Sequence, residues 1–236
     1  MPSPVIQMAA KAPLLAHCVL LHGAGAPVQS EFFQKLQPAL AEQGIASVAI
    51  NLAYMELVRQ GQKRPPPKLS LLLDELTQRL PELLLPSAAP WFLAGKSMGG
   101  RLFSQLLAQP ERFATWPAQP KGGIVFGYPY CPAAAREKGG ETLRKQLLAR
   151  TEFWPQIARP VLLLQGDRDA FGSGADIRRH LAAVTARLQV LDIQGCNHDF
   201  VRPKSLPHDV YTELAVATKT FMQQTLAAGE TDVLAS

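Results

Sequence analysis

Cysteine is scarce in this sequence, and its scarcity argues against a small fold held together by disulfides or zinc. The 236 residues include only Cys18, Cys131 and Cys196. Their number is odd and no two have the Cys-x-x-Cys spacing, so we predict neither a disulfide framework nor a structural zinc site. We predict no metal ligand and no cofactor.

Long hydrophobic segments are absent as well. No run reaches the ~18 consecutive apolar residues that a membrane-spanning helix requires. The first residues also lack a basic start followed by a long apolar stretch, which is the pattern of a secretory signal peptide. We therefore expect a protein without a membrane span, located in the cytoplasm.

Clustered basic charge of the kind that binds nucleic acid is missing too. The formal net charge is +5, but the one tight basic cluster, residues 63–68, contains prolines and no interleaved aromatic side chains. We interpret it as a solvated loop and predict no nucleic-acid partner. With 47% hydrophobic and 18% charged residues and no internal repeat or linker, residues 1–236 are expected to form one globular domain.

What the sequence does contain is a regular alternation of apolar strands and amphipathic helices. Strands buried on both faces are almost wholly apolar, which is typical of parallel sheets. Such segments occupy residues 16–21, 46–52, 91–94, 123–126, 161–164 and 189–193, with an irregular first strand near residues 5–9. The intervening stretches are long enough for crossovers, so we predict an α/β fold with a doubly wound, mostly parallel sheet and helices on both faces.

Proline and glycine mark the interruptions of this pattern. Residues 54–67 are predicted to form an extended loop, because the prolines at its end forbid a helix there. The last helix is predicted to start near Pro207 and to end before Gly229. Between residues 128 and 160 several prolines interrupt the periodicity, and only residues 141–150 are predicted to be helical.

One strand leads directly into Gly95-Lys96-Ser97-Met98-Gly99, and a helical pattern follows. Such a sequence predicts a sharp turn between strand and helix with a serine at its tip. The two glycines remove β-carbons that would clash with the strained serine backbone. The Ser97 hydroxyl is expected to stand beside the first free N–H groups of the helix, which can stabilise a negative oxygen developing on a substrate.

Other polar residues follow other strands. These are the loop at residues 22–25, the pair Asp167 and Asp169, and His198. The carboxyl ends of parallel strands share one edge of a sheet, so we expect these residues to meet Ser97 there. A serine needs a base to accept its proton, and a histidine oriented by a carboxylate is suited to that task. The chain order Ser, Asp, His is the order of the hydrolase triad in one fold.

Two aspartates compete for the role of the acid. Asp169 is favoured because it lies deeper in the turn after Gly166, whereas Asp167 fits a turn residue bonded to nearby backbone. His22 is the rival of His198, but it precedes Ser97 in the chain and belongs to a glycine-rich loop.

The remaining candidates are weaker. His17 falls inside a predicted strand, and His180 and His208 fall on predicted helices, so we interpret them as structural or surface residues. Cys196 lies near His198, but it has no sharp turn or helix N-terminus behind it to activate a thiol nucleophile.

Together these residues resemble the α/β-hydrolase superfamily over about residues 19–200. More narrowly, the chain is similar to the small capless branch that includes testis-expressed protein 30 and KANSL3-like hydrolase domains. The segments that carry the resemblance are residues 21–25, 64–67, 95–101, 126–129, 165–172 and 197–200.

The resemblance implies an α/β-hydrolase fold with a minimal cap. It implies Ser97 as nucleophile, Asp169 as acid and His198 as base. It also implies oxyanion N–H groups on Met98 and on the loop that contains His22 and Gly23, where Ala24 and Gly25 are the alternatives for the second donor.

The function expected from these residues is that of a serine hydrolase that cleaves an ester or thioester through a covalent acyl-enzyme. A small acyl substrate would enter an open cleft, for which Tyr54, Met55 and Tyr128 are the predicted lining. The alternative is a non-catalytic interaction module, since fold does not fix function. The sequence leaves three questions open: the natural substrate, whether the bond cleaved is an ester, an amide or a peptide bond, and the oligomeric state.

Overall fold

A computed structural model describes residues 5–84, 86–181, 187–206 and 209–234. Its strands are β1 Val5–Met8, β2 Ala16–Leu21, β3 Ile45–Ile50, β4 Trp91–Lys96, β5 Pro120–Phe126, β6 Val161–Gly166 and β7 Leu188–Ile193. In the described part of the chain they form a seven-stranded sheet in the order β1-β3-β2-β4-β5-β6-β7. β1 is antiparallel to β3, and all other neighbours are parallel. The predicted mostly parallel sheet is confirmed.

Helices connect the parallel strands, and the last helix follows β7. They are α1 Glu31–Glu42, α2 Ala53–Arg59, α3 Leu69–Arg79, α4 Met98–Leu107, α5 Ala133–Lys138, α6 Gly140–Thr151, α7 Gly174–Leu181 and α8 Val210–Leu234. Short 3-10 helices occupy Leu80–Glu82, Pro110–Arg112 and Trp154–Gln156. None of the helices in the described ranges has both the length and the apolar character needed to cross a bilayer.

Two hydrophobic cores lie on opposite faces of the sheet. Successive side chains of a strand point to opposite faces, so Val19 and Leu21 join one core while Cys18 and Leu20 join the other. The first core contains the apolar stripes of α3 and α4, and the second contains those of α1 and α8. The sheet is therefore doubly wound, which explains why its strands are apolar almost throughout.

The sheet changes winding direction at β2, which lies between β3 and β4. Leu21, the last residue of β2, pairs with Gly95 in β4. The loops that follow these two strands therefore leave the sheet side by side. Such a switch point is where open α/β sheets bind their ligands.

Three predictions of secondary structure are wrong. Between residues 128 and 160, α5 Ala133–Lys138 forms in addition to the predicted helix, because it starts directly after Pro132 and contains no proline. Residues 54–67 are not a loop throughout, because α2 occupies Ala53–Arg59 and buries Tyr54 and Met55 against the core. The prolines act only beyond the end of that helix. Gly229 does not end the last helix but lies within α8, where a β-carbon would meet no atom within 4 Å. Glycine costs an exposed helix about 1 kcal/mol, which the packing of α8 elsewhere can offset. Pro207 lies outside the described residues.

Candidate active site

Ser97 occupies the turn between β4 and α4 with φ 51° and ψ −113°. A positive φ is unfavourable for serine, so the surrounding structure must hold this conformation. The Ser97 N–H donates to the Phe126 carbonyl at 3.0 Å, one residue beyond the end of β4. The sheet itself thus fixes the strained turn.

Close backbone contacts explain the glycines that flank the serine. A β-carbon on Gly95 would lie 2.3 Å from the Gly100 nitrogen. One on Gly99 would lie 2.5 Å from the His22 carbonyl oxygen. A larger residue would therefore clash at either position. The absence of a side chain at Gly99 allows the start of α4 to pack closely against the loop after β2.

Ser97, His198 and Asp169 form a continuous hydrogen-bonded chain. The serine Oγ lies 2.8 Å from His198 Nε2, and His198 Nδ1 lies 2.7 Å from Asp169 Oδ2. An ionised carboxylate only accepts hydrogen bonds, so Nδ1 carries the hydrogen and Nε2 is free to accept from the hydroxyl. His198 Nε2 is thus placed to accept the proton of the Ser97 hydroxyl.

Asp169 is fully enclosed, and each of its oxygens has a protein donor besides the histidine. The Gln165 side chain donates to Oδ2 at 2.8 Å, and the Phe171 N–H donates to Oδ1 at 2.7 Å. Asp167, the competing aspartate, is exposed, and its N–H donates to the Ile193 carbonyl. Of the two aspartates, the structure brings Asp169 to His198.

Gln165 was not singled out from the sequence, although one signal was available. It is a wholly buried polar residue near the end of an apolar strand, and buried amides require partners. Besides Asp169, its Nε2 donates to the Gly172 carbonyl at 2.7 Å. Its Oε1 accepts the Tyr128 N–H at 2.7 Å.

His22 is also fully buried, but it does not face Ser97. The Leu52 N–H donates to its Nε2 at 3.0 Å, so Nδ1 carries the hydrogen and donates to the Gly23 carbonyl at 2.6 Å. Burial lowers the His22 pKa to about 4, which keeps the ring neutral at ordinary pH. His22 therefore supports the glycine-rich loop from beneath.

The backbone of that loop lies beside the serine. A β-carbon on Gly23 would come within 3.5 Å of the Ser97 β-carbon. Gly23, Ala24 and Gly25 all line the same groove as Ser97. On the other side Met98 is the first residue of α4, where a backbone N–H has no acceptor within the helix.

An open groove of about 1270 Å³ begins at Ser97 and His198 and extends along α1 toward the start of α8. Its apolar wall near the serine includes Phe32, Phe171 and Phe200. The predicted lining by Tyr54, Met55 and Tyr128 is wrong. These side chains are at most 5% exposed, because they pack into the core beneath the helices.

The remaining candidates lie apart from this cluster. His17 bonds to Ser87 at 2.9 Å, and His180 is exposed on α7. Cys196 is fully buried and all three cysteines are free. His208 lies outside the described residues. Within the described ranges no group of three His, Cys, Asp or Glu side chains could hold a metal ion.

A family profile described as "alpha/beta hydrolase domain" matches residues 15–225. The chain therefore belongs to the alpha/beta hydrolase family. A sequence search of curated proteins found no significant match.

Solved structures with the same fold come from several organisms. Est1E from Butyrivibrio proteoclasticus, with ferulic acid bound, is 17% identical with a TM-score of 0.66, covering 95% of each chain. Dienelactone hydrolase from Anabaena variabilis is 16% identical with a TM-score of 0.63, covering 93% of this chain and 90% of that one. A Paleococcus ferrophilus monoacylglycerol lipase is 16% identical with a TM-score of 0.62, covering 95% and 100%. At these identities the likeness concerns the fold alone.

Proposed function

We propose that the protein is a serine hydrolase that cleaves ester or thioester bonds, with Ser97 as nucleophile, His198 as base and Asp169 as acid. The observation that carries the proposal is the hydrogen-bonded chain from Asp169 through His198 to Ser97, with distances of 2.7 and 2.8 Å. Family membership and the strained serine at the switch point of the sheet support it.

In the proposed reaction Ser97 Oγ attacks the acyl carbonyl carbon while His198 Nε2 takes the hydroxyl proton. The resulting imidazolium is stabilised by the Asp169 carboxylate. The tetrahedral intermediate collapses, the bond to the leaving group breaks, and His198 returns the proton to that group. Water then attacks the acyl-enzyme with the same base, which releases the acid and restores the serine.

Negative charge develops on the carbonyl oxygen during both attacks. We assign its stabilisation to the N–H of Met98 and to a second N–H from Ala24 or Gly25. Support comes from the position of Met98 at the start of α4 and from the glycine-rich backbone beside Ser97. Removing one such donor typically lowers kcat by a factor of about 10²–10³.

The proposed substrate is a small acyl ester or thioester, and the open groove between Ser97 and α8 supports this choice. We also propose membership of the small capless branch of the superfamily, with residues 1–236 as one domain. Its support is the short region between β5 and β6, which contains only α5, α6 and one 3-10 helix in the described chain. The free thiols favour a reducing compartment such as the cytoplasm.

The test is active-site labelling with a fluorophosphonate probe, followed by hydrolysis of p-nitrophenyl acetate. Wild-type protein should be labelled and should turn over the ester. Ser97→Ala should do neither while it retains the wild-type circular dichroism spectrum. Ser104→Ala, which removes a hydroxyl bonded within α4 to Gly100, is the matched control and should be labelled. Labelling that survives Ser97→Ala would remove Ser97 from the role. Wild-type protein that neither labels nor hydrolyses esters would favour a non-catalytic interaction module.

A further inference from the structure

We propose that Lys96 is a positioning residue, which ties the loop carrying His198 to the turn carrying Ser97. The proposal rests on the hydrolase function proposed above. Lys96 is the last residue of β4, immediately before Ser97, and its Nζ donates to the His198 backbone carbonyl at 2.6 Å. One hydrogen bond thus joins the residue before the nucleophile to the main chain of the base.

The Lys96 side chain is confined to this position. It is 9% exposed, and its Nζ lies 5.7 Å from the Phe32 ring centre and 5.6 Å from that of Phe200. A lysine ammonium over aromatic faces gains electrostatic stabilisation that partly replaces lost water. The Phe32 ring lies on α1 and the Phe200 ring lies in the His198 loop, so the ammonium bridges both walls of the groove.

The loop that Lys96 holds is strained. Phe200, two residues after His198, has φ 59°. In the described part of the chain, Phe200 and Ser97 are the two non-glycine residues with a positive φ. Bonds within the loop include those from the N–H groups of Asp199 and Val201 to Asn197 Oδ1 and from the Phe200 N–H to the Asn197 carbonyl. These bonds close the loop on itself, whereas the bond from Lys96 connects the main chain at His198 to the turn that carries Ser97.

A role for Lys96 as a receptor for substrate anions fits these contacts less well. Its Nζ already has the His198 carbonyl at 2.6 Å and lies 3.7 Å from Asp199 Oδ1. A substrate carboxylate at this nitrogen would compete with the His198 carbonyl and with the Asp199 carboxylate. The geometry is that of a structural bond within the site.

The charge of this ammonium is sensitive to pH. Burial lowers the Lys96 pKa to about 8, and the nearby carboxylates of Asp199 and Asp169 oppose that shift. Below this pH the nitrogen is a charged donor to the carbonyl, and above it the bond is weaker because the charge is lost. Among the described residues, five other charged side chains line the groove besides Asp199: Glu31, Lys35, Glu42, Arg202 and Asp209. Lys35 pairs with Glu31, Glu42 with Lys11, and Arg202 with Glu213.

The test compares the rate of fluorophosphonate labelling and ester turnover in Lys96→Met, Lys96→Arg and Lys121→Met. Lys96→Met retains the length of the side chain but removes the donor. It should lower the labelling rate and kcat about tenfold or more with KM within about twofold, since small misplacements of a catalytic group are costly. Lys96→Arg should restore most of the rate. Lys121→Met removes the same charge from an exposed position at the start of β5, at the opposite edge of the sheet, and should stay within about twofold of wild type.

A pH profile of the labelling rate gives a second test of the proposal. The wild-type labelling rate should decline as pH rises through about 8, and Lys96→Met should lack that decline. Labelling of Lys96→Met at the wild-type rate, or a wild-type rate that stays level through this range, overturns the role of Lys96 and leaves the hydrolase standing. If wild-type protein does not label at any pH, the hydrolase proposal and this inference fail together.

Discussion

Gln165 donates a hydrogen bond to Asp169, with Nε2 2.8 Å from the same carboxylate oxygen that His198 contacts. The glutamine belongs to β6, and its amide oxygen accepts the Tyr128 N–H. The orientation of the acid is therefore determined by a buried strand as well as by its own loop. A side chain that touches neither Ser97 nor His198 thus supports the proposed site.

Replacing Gln165 by leucine should reduce both stability and activity. The change leaves the Tyr128 N–H without its acceptor and Asp169 with one donor fewer. Because buried polar groups lose their partners, we expect the free energy of unfolding to fall by about 2–4 kcal/mol. Urea denaturation measures this quantity. Gln189→Leu, on the exposed side of β7, is the matched control and should change it by less than about 0.5 kcal/mol. Equal losses in the two variants would contradict this view of Gln165.

Asp169→Asn should retain the fold but abolish the proposed esterase activity. An amide no longer stabilises an imidazolium and allows the unproductive tautomer of His198, so we expect kcat to fall about 10³–10⁴-fold. Asp167→Asn makes the same change two residues earlier at an exposed position and should stay within about twofold. The measurement is turnover of p-nitrophenyl acetate. A larger loss from Asp167→Asn would mean that the wrong aspartate has been assigned.

His22 should make the folded protein sensitive to acid. Its pKa is lowered from 6.5 to about 4, so between these values the unfolded chain binds a proton that the folded protein excludes. Stability should therefore fall as pH drops through this window, by about 3 kcal/mol in total from this residue. His22→Gln should show a shallower decline than wild type in urea denaturation at several pH values. His180→Gln, on exposed α7, should leave the decline unchanged.

The strands and the serine turn could be predicted because their signals are local. Apolar runs mark β2, β4 and β6, and the two glycines around Ser97 mark the turn. Helix α2 is not predicted from the sequence because residues 54–67 include three prolines. These prolines lie beyond the end of α2, so its residues are free to form a helix. A short helix with few turns gives little periodicity to detect.

The lining of the groove and the supports of the site could not be predicted, since they depend on contacts between distant residues. Tyr128 looked available for substrate, but its hydroxyl bonds to the Trp154 indole at 3.2 Å beneath the surface. Lys96 and the His198 carbonyl are 102 residues apart in the chain. No periodicity or motif encodes such a pairing, and only the assembled sheet brings its members together.

The pairing between strands continues past their ends into the site. Ser97 N–H donates to the Phe126 carbonyl, and Gly127 N–H donates to the Leu164 carbonyl, so two residues of the active-site edge extend the ladder of the sheet. Heat inactivation should therefore coincide with global melting, because the Ser97 turn cannot loosen without opening the central strands. Hydrogen exchange at these two amides should be as slow as in β4 and β5. Fast exchange at Ser97 in an otherwise protected sheet would show that the turn opens independently.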